Sequence, residues 1–319
     1  LPNSSPEAVQ TNPATGLEHP WRGYFLVVAA TFCWGGAAAA GKAVFNGTLA
    51  GPAISPLVLT QVRTTITVLL LGIFLLLRYG REFFYISRRD LLWCALAGTL
   101  GTAASNFFYY WSIQKTTVAI AITVQNTAPV WVLLAMVLSG RERPSLRRGG
   151  AVALALVGIA MTLGLFHSHL KVNAAGVGAA LLASFAFSFY NIAAPGLVRR
   201  NHPWKVMFYA LLSAAVIWAI VNPPWRLVAQ HYNGRQWRFL FLFACLSMLV
   251  PYMFFFNGLK YLDPTRAIIA SCLEPVFAIL LAAAFVGERV AGFQVMGVFA
   301  VLAGTIMAQT PRLPGAGAE

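Results

Sequence analysis

The chain has 319 residues, of which 59% are apolar and only 10% charged. A soluble domain carries about 25% charged residues, so a soluble domain is excluded and an integral membrane protein is expected. The formal net charge of +14 would suggest nucleic acid in a soluble chain. Here it reads as Arg and Lys flanking membrane spans, with no nucleic-acid partner.

Residues 1–21 are polar and rich in Pro, Ser and Asn, which predicts a disordered cytoplasmic tail. Apolar runs near the ~20 residues that cross hydrocarbon then predict helices over 24–43, 55–77, 91–111, 117–138, 147–166, 174–198, 204–221, 237–258, 266–286 and 291–309. Residues 310–319 read as a second cytoplasmic tail. Links of a few residues make neighbouring helices antiparallel, and the alternating segments of a membrane β-barrel are absent.

The organising stretch is Leu273 to Arg289, in which Glu274-Pro275 leads an apolar run ending in Gly287-Glu288-Arg289. Its earlier copy is Ala128-Pro129-Val130, an apolar run, then Arg141-Glu142-Arg143. Sliding one over the other superposes Pro129 on Pro275, Glu142 on Glu288 and Gly158 on Gly304 without a gap, so the chain contains an internal repeat. Charge sets the orientation. With both termini cytoplasmic, the inner segments hold Arg78, Arg81, Arg88, Arg89, Arg141, Arg143, Arg147, Arg148, Arg199, Arg200, Lys205, Lys260 and Arg266, with Arg22 and Arg312 at the ends. The outer ones hold about half as many: Lys42, Lys115, Lys171, Arg226, Arg235, Arg238 and Arg289. Five spans per repeat then insert the second copy upside down. The expected fold is an all-α membrane protein of ten transmembrane helices in a 5+5 inverted repeat, residues 22–166 and 174–309. Such symmetry permits alternating access to a midplane site between the halves.

These residues carry a resemblance. Trp34-Gly35, Pro56 with Arg63, the Pro129 run, Phe187 with Tyr190, Leu273-Glu274-Pro275 and Gly304 occur in an order similar to the drug/metabolite transporter superfamily, in its ten-helix members with two EamA domains. The resemblance covers about residues 22–309. Arg141 stands where that family usually has Gly, and Phe187 where Trp is common. The resemblance implies an inner-membrane transporter of small metabolites, most similar to YddG-like exporters of aromatic and other neutral amino acids. Drugs, sugars or vitamins are the alternative substrates, and an intramembrane lipid-modifying enzyme is the alternative of another class.

Glu274 is the sharpest candidate, because a carboxylate inside a span is costly unless paired, neutralised or hydrated. It either lines a cavity, meeting a substrate amine or a proton, or bonds backbone freed by Pro275. Arg63 alone among the basic residues lies well inside a span, where it either holds a substrate carboxylate or braces helices. A direct Arg63–Glu274 pair is not implied by their depths. Pro129 and Pro275 fall near mid-span, where proline kinks a helix, and are the candidate hinges. Pro251 adds a kink without a partner, since its counterpart is Ser105. Gln125 and Ser271 are matching polar residues on the proline faces; Asn106 matches Tyr252, and Asn191 adds an amide. Each is a substrate contact or helix glue. Trp34, Tyr109, Tyr190 and Tyr252 lie on spans that the resembled family uses for its cavity, where aromatic walls suit apolar or cationic groups; an interfacial belt is the other reading. Cys33, Cys94, Cys245 and Cys272 lack metal or disulfide spacing, and no nucleophile motif or phosphate loop appears. No cofactor, no metal and no enzymatic activity are expected, and a monomer is favoured.

Overall fold

Helix starts are written into the chain as side-chain caps. Ser55, Ser87, Thr117 and Asn173 each accept a backbone N–H from the first turn that follows, and Asn233 with Gln236 forms a reciprocal capping box. The computed structural model describes residues 20–140, 145–163, 173–262, 267 and 270–309. Most of both expected tails, the Arg141-Glu142-Arg143 segment, Lys171 and Arg266 lie outside the described residues.

Among the described residues the fold is all helical, with no strand. The main helices are α1 (Pro20–Phe45), α2 (Pro56–Tyr79), α3 (Arg88–Lys115), α4 (Val118–Leu138), α5 (Leu146–Thr162), α6 (Ala174–Val198), α7 (Pro203–Val221), α8 (Gly234–Gly258), α9 (Glu274–Val286) and α10 (Gly292–Gln309). Seven of them, α1–α4 and α6–α8, are long and apolar enough to cross a membrane. The described parts of α5, α9 and α10 are apolar but shorter. A short helix, Pro224–Val228, lies between α7 and α8.

The prolines act differently from the simple kinks expected. α4 is interrupted at Asn126-Thr127, and α9 begins after a turn at Cys272-Leu273. Pro129 and Pro275 each sit in the first turn of the helix that follows, where a missing N–H leaves no bond unmade. The distortion is the same in both: the Thr127 N–H reaches Val124 O at 3.2 Å, and the Leu273 N–H reaches Ala270 O at 3.2 Å, three residues back instead of four. Pro251 has Ser105 as its counterpart, yet the distortion beside it is paired. Pro251 follows a stretch of π-helix at Cys245–Leu249 in α8, and α3 carries a π-helical stretch at Ala97–Ala103 with no proline to announce it. The Arg141 departure resolves too. Gly140, one residue earlier, takes the left-handed conformation (φ +70°) that Gly287 takes (φ +72°) beyond α9.

Small residues let the helices approach. α5 packs along α10, α1 along α8 and α9, α6 along α3 and α4, and α2 along α7. A Cβ on Gly23 of α1 would meet Leu262 at 2.5 Å and Tyr261 at 3.0 Å, while one on Gly176 of α6 would meet Thr116 at 2.5 Å and Lys115 at 2.9 Å. Gln61 and Asn222 join α2 to the end of α7 by two buried bonds of 2.6 Å, amide to amide and amide to backbone. The α1–α2 link, residues 46–55, carries left-handed Gly47, Ala50 and Gly51 and is tied down by Gln236 Nε2 donating to Pro52 O at 3.1 Å. The α6–α7 link spans only residues 199–202.

Candidate functional site

Arg63 enters the bundle from the buried face of α2, 4% exposed. Its Nη1 donates to the Tyr110 hydroxyl at 2.9 Å and, weakly, to Ser247 Oγ at 3.5 Å; its Nη2 donates to Asn106 Oδ1. The guanidinium lies 4.9 Å from the Tyr110 ring centroid and 5.9 Å from that of Phe243, within cation–π range. All of these partners are neutral. Among the described residues no carboxylate lies within ion-pair distance of Arg63. Its Nε is buried with no acceptor, and the nearby Tyr109 hydroxyl is likewise buried and unbonded.

Glu274 opens α9, and its carboxylate has no hydrogen bond or ion pair among the described residues. It sits beside α1: a Cβ on Gly35 would lie 3.1 Å from Glu274 O and 2.7 Å from Ala278 N. That contact sets Trp34 beside the site. Trp34 meets the Tyr252 ring edge-on at 5.5 Å and Phe255 at 5.8 Å. Tyr109, Tyr110 and Tyr252 each lie within electrostatic reach of both Arg63 and Glu274. Tyr190 lies near Tyr252 and packs on the α3 side, where a Cβ on Gly101 would fall 2.9 Å from its own Cβ.

The structure thus gathers Arg63, Asn106, Tyr109, Tyr252, Trp34 and Glu274 into one region. The remaining candidates are engaged otherwise. Gln125 Nε2 donates to Ser105 Oγ at 3.2 Å, bridging α4 and α3. Ser271 Oγ donates to Ala267 O at 2.8 Å within its own turn. Asn191 is exposed and donates to Phe187 O at 2.7 Å, one turn back. Tyr110 and Ser247, both holding Arg63, went unnoticed in the sequence. Tyr110 stands in the aromatic run Phe107 to Trp111, which an interfacial belt also explains, and Ser247 lies one turn before Pro251.

Two polar clusters mark the bundle ends. At one, Lys42 Nζ from the last turn of α1 donates to Ile113 O at 2.8 Å and to Thr116 O, the free carbonyls that end α3. Beside it Glu288, beyond α9, accepts the Val118 N–H that opens α4, at 3.1 and 2.9 Å. Burial pushes the Glu288 carboxyl up, while the Val118 N–H and the nearby Lys42 charge pull it back. At the other end Asp90 Oδ1 accepts from Arg200 Nε at 3.0 Å and Nη2 at 2.7 Å, and Asp90 Oδ2 accepts from Asn201 at 3.0 Å, pinning the start of α3 to the end of α6.

The EamA-like transporter family matches residues 21–164 and again 174–310. The chain belongs to the EamA-like transporter family. It is 28% identical over 215 residues to an uncharacterized transporter of Archaeoglobus fulgidus, covering 66% of this chain and 75% of that protein. It is 28% identical over 234 residues to the threonine/homoserine exporter RhtA of Salmonella typhimurium, covering 72% of each. A solved crystal structure shares the fold with a TM-score of 0.58 at 18% identity, covering 90% of this chain and 96% of that one. The Archaeoglobus and Salmonella relatives are described as a transporter and an exporter, and the chain is a member of a membrane transporter family.

Proposed function

We propose that this EamA-family chain is a secondary exporter of small metabolites, neutral or aromatic amino acids foremost, working by alternating access between two oppositely inserted five-helix halves. One observation carries the reading: contacts in one half are repeated, with exchanged partners, in the other. Gly35 of α1 abuts the Glu274 carbonyl, and Ser188 of α6 donates to the Ala128 carbonyl at 2.9 Å; Ala128 and Glu274 are equivalent in the repeat. Gly158 meets Gly297 and Val301, while Gly304 meets Ala151 and Ala155. The paired helix turns and paired π-stretches follow the same exchange. A pseudo-two-fold axis between halves of opposite insertion is the architecture in which one central site is offered to each side in turn.

In this reading all ten helices span the inner membrane, both termini face the cytoplasm, and the protein acts as a monomer. The Lys42–Glu288 end is then the outer one, and it is closed: α1 reaches the last turns of α3, whereas α6 makes no comparable approach to α8 among the described residues. The site between the ends comprises Arg63, Trp34, Asn106, Tyr109, Tyr252 and Glu274, with Gln125, Tyr190, Asn191 and Ser271 around it and the turns at Pro129 and Pro275 as hinges. The name of the Salmonella relative, a threonine/homoserine exporter, favours amino acids over drugs, sugars or vitamins. The test is purified protein in liposomes with a panel of labelled metabolites. Saturable flux of one or more amino acids is expected; no flux of any metabolite would reject the reading.

A further inference from the structure

We infer that Arg63 receives the anionic group of the transported molecule while Glu274 faces its cationic end, so that the site selects zwitterions of the α-amino-acid class. The inference rests on the exporter reading and deepens it.

A guanidinium buried inside a helix bundle without a counter-anion is unfavourable unless something compensates it. Among the described residues its acceptors are neutral, on Tyr110, Asn106 and Ser247. Two donors are left over in the same neighbourhood: Arg63 Nε–H and the Tyr109 hydroxyl, both buried and both without an acceptor. Buried donors in a native protein are nearly always satisfied, and two orphans beside a positive charge call for an incoming acceptor with negative charge. A carboxylate fits, since it accepts from several donors at once.

Glu274 poses the complementary problem. Its carboxylate has no donor among the described residues, yet the same three tyrosines, Tyr109, Tyr110 and Tyr252, lie within reach of both charges. The protein therefore sets Arg63 and Glu274 within reach of the same three tyrosines, with no ion pair between them among the described residues. Had stability alone been served, a direct ion pair would have answered both needs. A ligand with a carboxylate and an ammonium bridges them, and the Trp34–Tyr252 wall is left to receive its side chain.

The experiment uses the full chain in liposomes. Uptake of labelled L-threonine and L-phenylalanine is compared with uptake of L-phenylalaninamide, which keeps the ammonium and ring but has no carboxylate. In the wild type the amide should move at least about tenfold more slowly than the acid, a difference of ~1.4 kcal/mol. Arg63→Gln should bring the acid down to the rate of the amide and leave the amide unchanged. Because Arg63→Gln could fail to fold, Tyr109→Phe provides a second arm. Its hydroxyl has no partner among the described residues, so thermal stability should hold while acid flux falls selectively. Equal wild-type rates for acid and amide overturn the inference. So does an equal fractional loss for acid and amide in a folded Arg63→Gln or Tyr109→Phe protein, which is the signature of a brace. Flux of other metabolites with none of any amino acid would overturn the zwitterion assignment and leave the exporter reading standing.

Discussion

A Cβ placed on Gly158 would lie 2.6 Å from the Gly297 carbonyl oxygen, and one placed on Gly297 would lie 2.6 Å from the Gly158 carbonyl oxygen. The contact is reciprocal, and both obstacles are backbone, which cannot swing aside. It draws α5 and α10 together more closely than any side chain larger than hydrogen allows. Gly158→Ala should therefore cost about 1–3 kcal/mol, the usual price of overpacking, read as a lower unfolding temperature in detergent. Gly149, on the same helix, has nothing within 4 Å. Gly149→Ala should leave the protein unchanged or raise its stability by up to ~1 kcal/mol. Equal behaviour of the two variants would contradict the packing.

The Lys42 ammonium ties α1 to the carbonyls that end α3. If this closes the outer end, Lys42→Met should loosen it. The measurement is maleimide labelling of a cysteine at buried Ser112, in a protein whose four native cysteines are serines. Labelling should quicken about tenfold, the equivalent of ~1.4 kcal/mol. Glu288→Gln keeps one oxygen for the Val118 N–H and should have a smaller effect. An unchanged rate in Lys42→Met would make the cluster a static cap.

Glu274→Gln should cut amino-acid flux by roughly 10- to 100-fold, the worth of one hydrogen bond to a charged group at about 1.5–3 kcal/mol. Its unfolding temperature should not fall, because the carboxylate holds nothing within the protein among the described residues. Undiminished transport in that variant would leave Glu274 with no part in substrate binding.

His202 opens α7 by accepting the Trp204 N–H on Nδ1 at 3.3 Å, with its ring against Tyr79 and Phe83. Burial, and then the Lys205 charge, hold the imidazole below its ordinary value. The folded protein thus favours neutral His202. Its contribution is present above the unfolded value, near 6.5, and is lost as pH falls through the lower folded value. Between about pH 7.5 and about pH 5 the wild type should lose more thermal stability than His202→Asn, which caps without titrating. Parallel losses would show that the cap is not what acid removes.

Local signals were legible in the chain before its fold was. Pro129 and Pro275 announced their helix breaks because proline acts through its own backbone. The apolar runs announced the helices because length and composition suffice. Arg63 and Glu274 stood out because charge in an apolar run is rare. What stayed hidden depends on neighbours distant in sequence. Nothing in residues 97–103 marks the π-stretch of α3; it appears where Gly98 meets α7, with a Cβ there only 2.0 Å from Ser213 Oγ. The Gln61–Asn222 pair was unreadable for the same reason, since either amide alone is an ordinary polar residue. Glu288 was seen as a repeated motif, but its task, holding the first N–H of α4, needed the ends of two helices side by side.

The long link between α1 and α2, fastened by Gln236, has no equal at the opposite end, where residues 199–202 suffice. Kinetic asymmetry follows. A carrier without an imposed gradient must obey detailed balance, so its ratio of maximal rate to half-saturation concentration is the same in both directions. The two quantities taken singly are free to differ. A half-cycle that moves this fastened link should be slower than one that moves the short link, so the protein should saturate at different concentrations from its two sides.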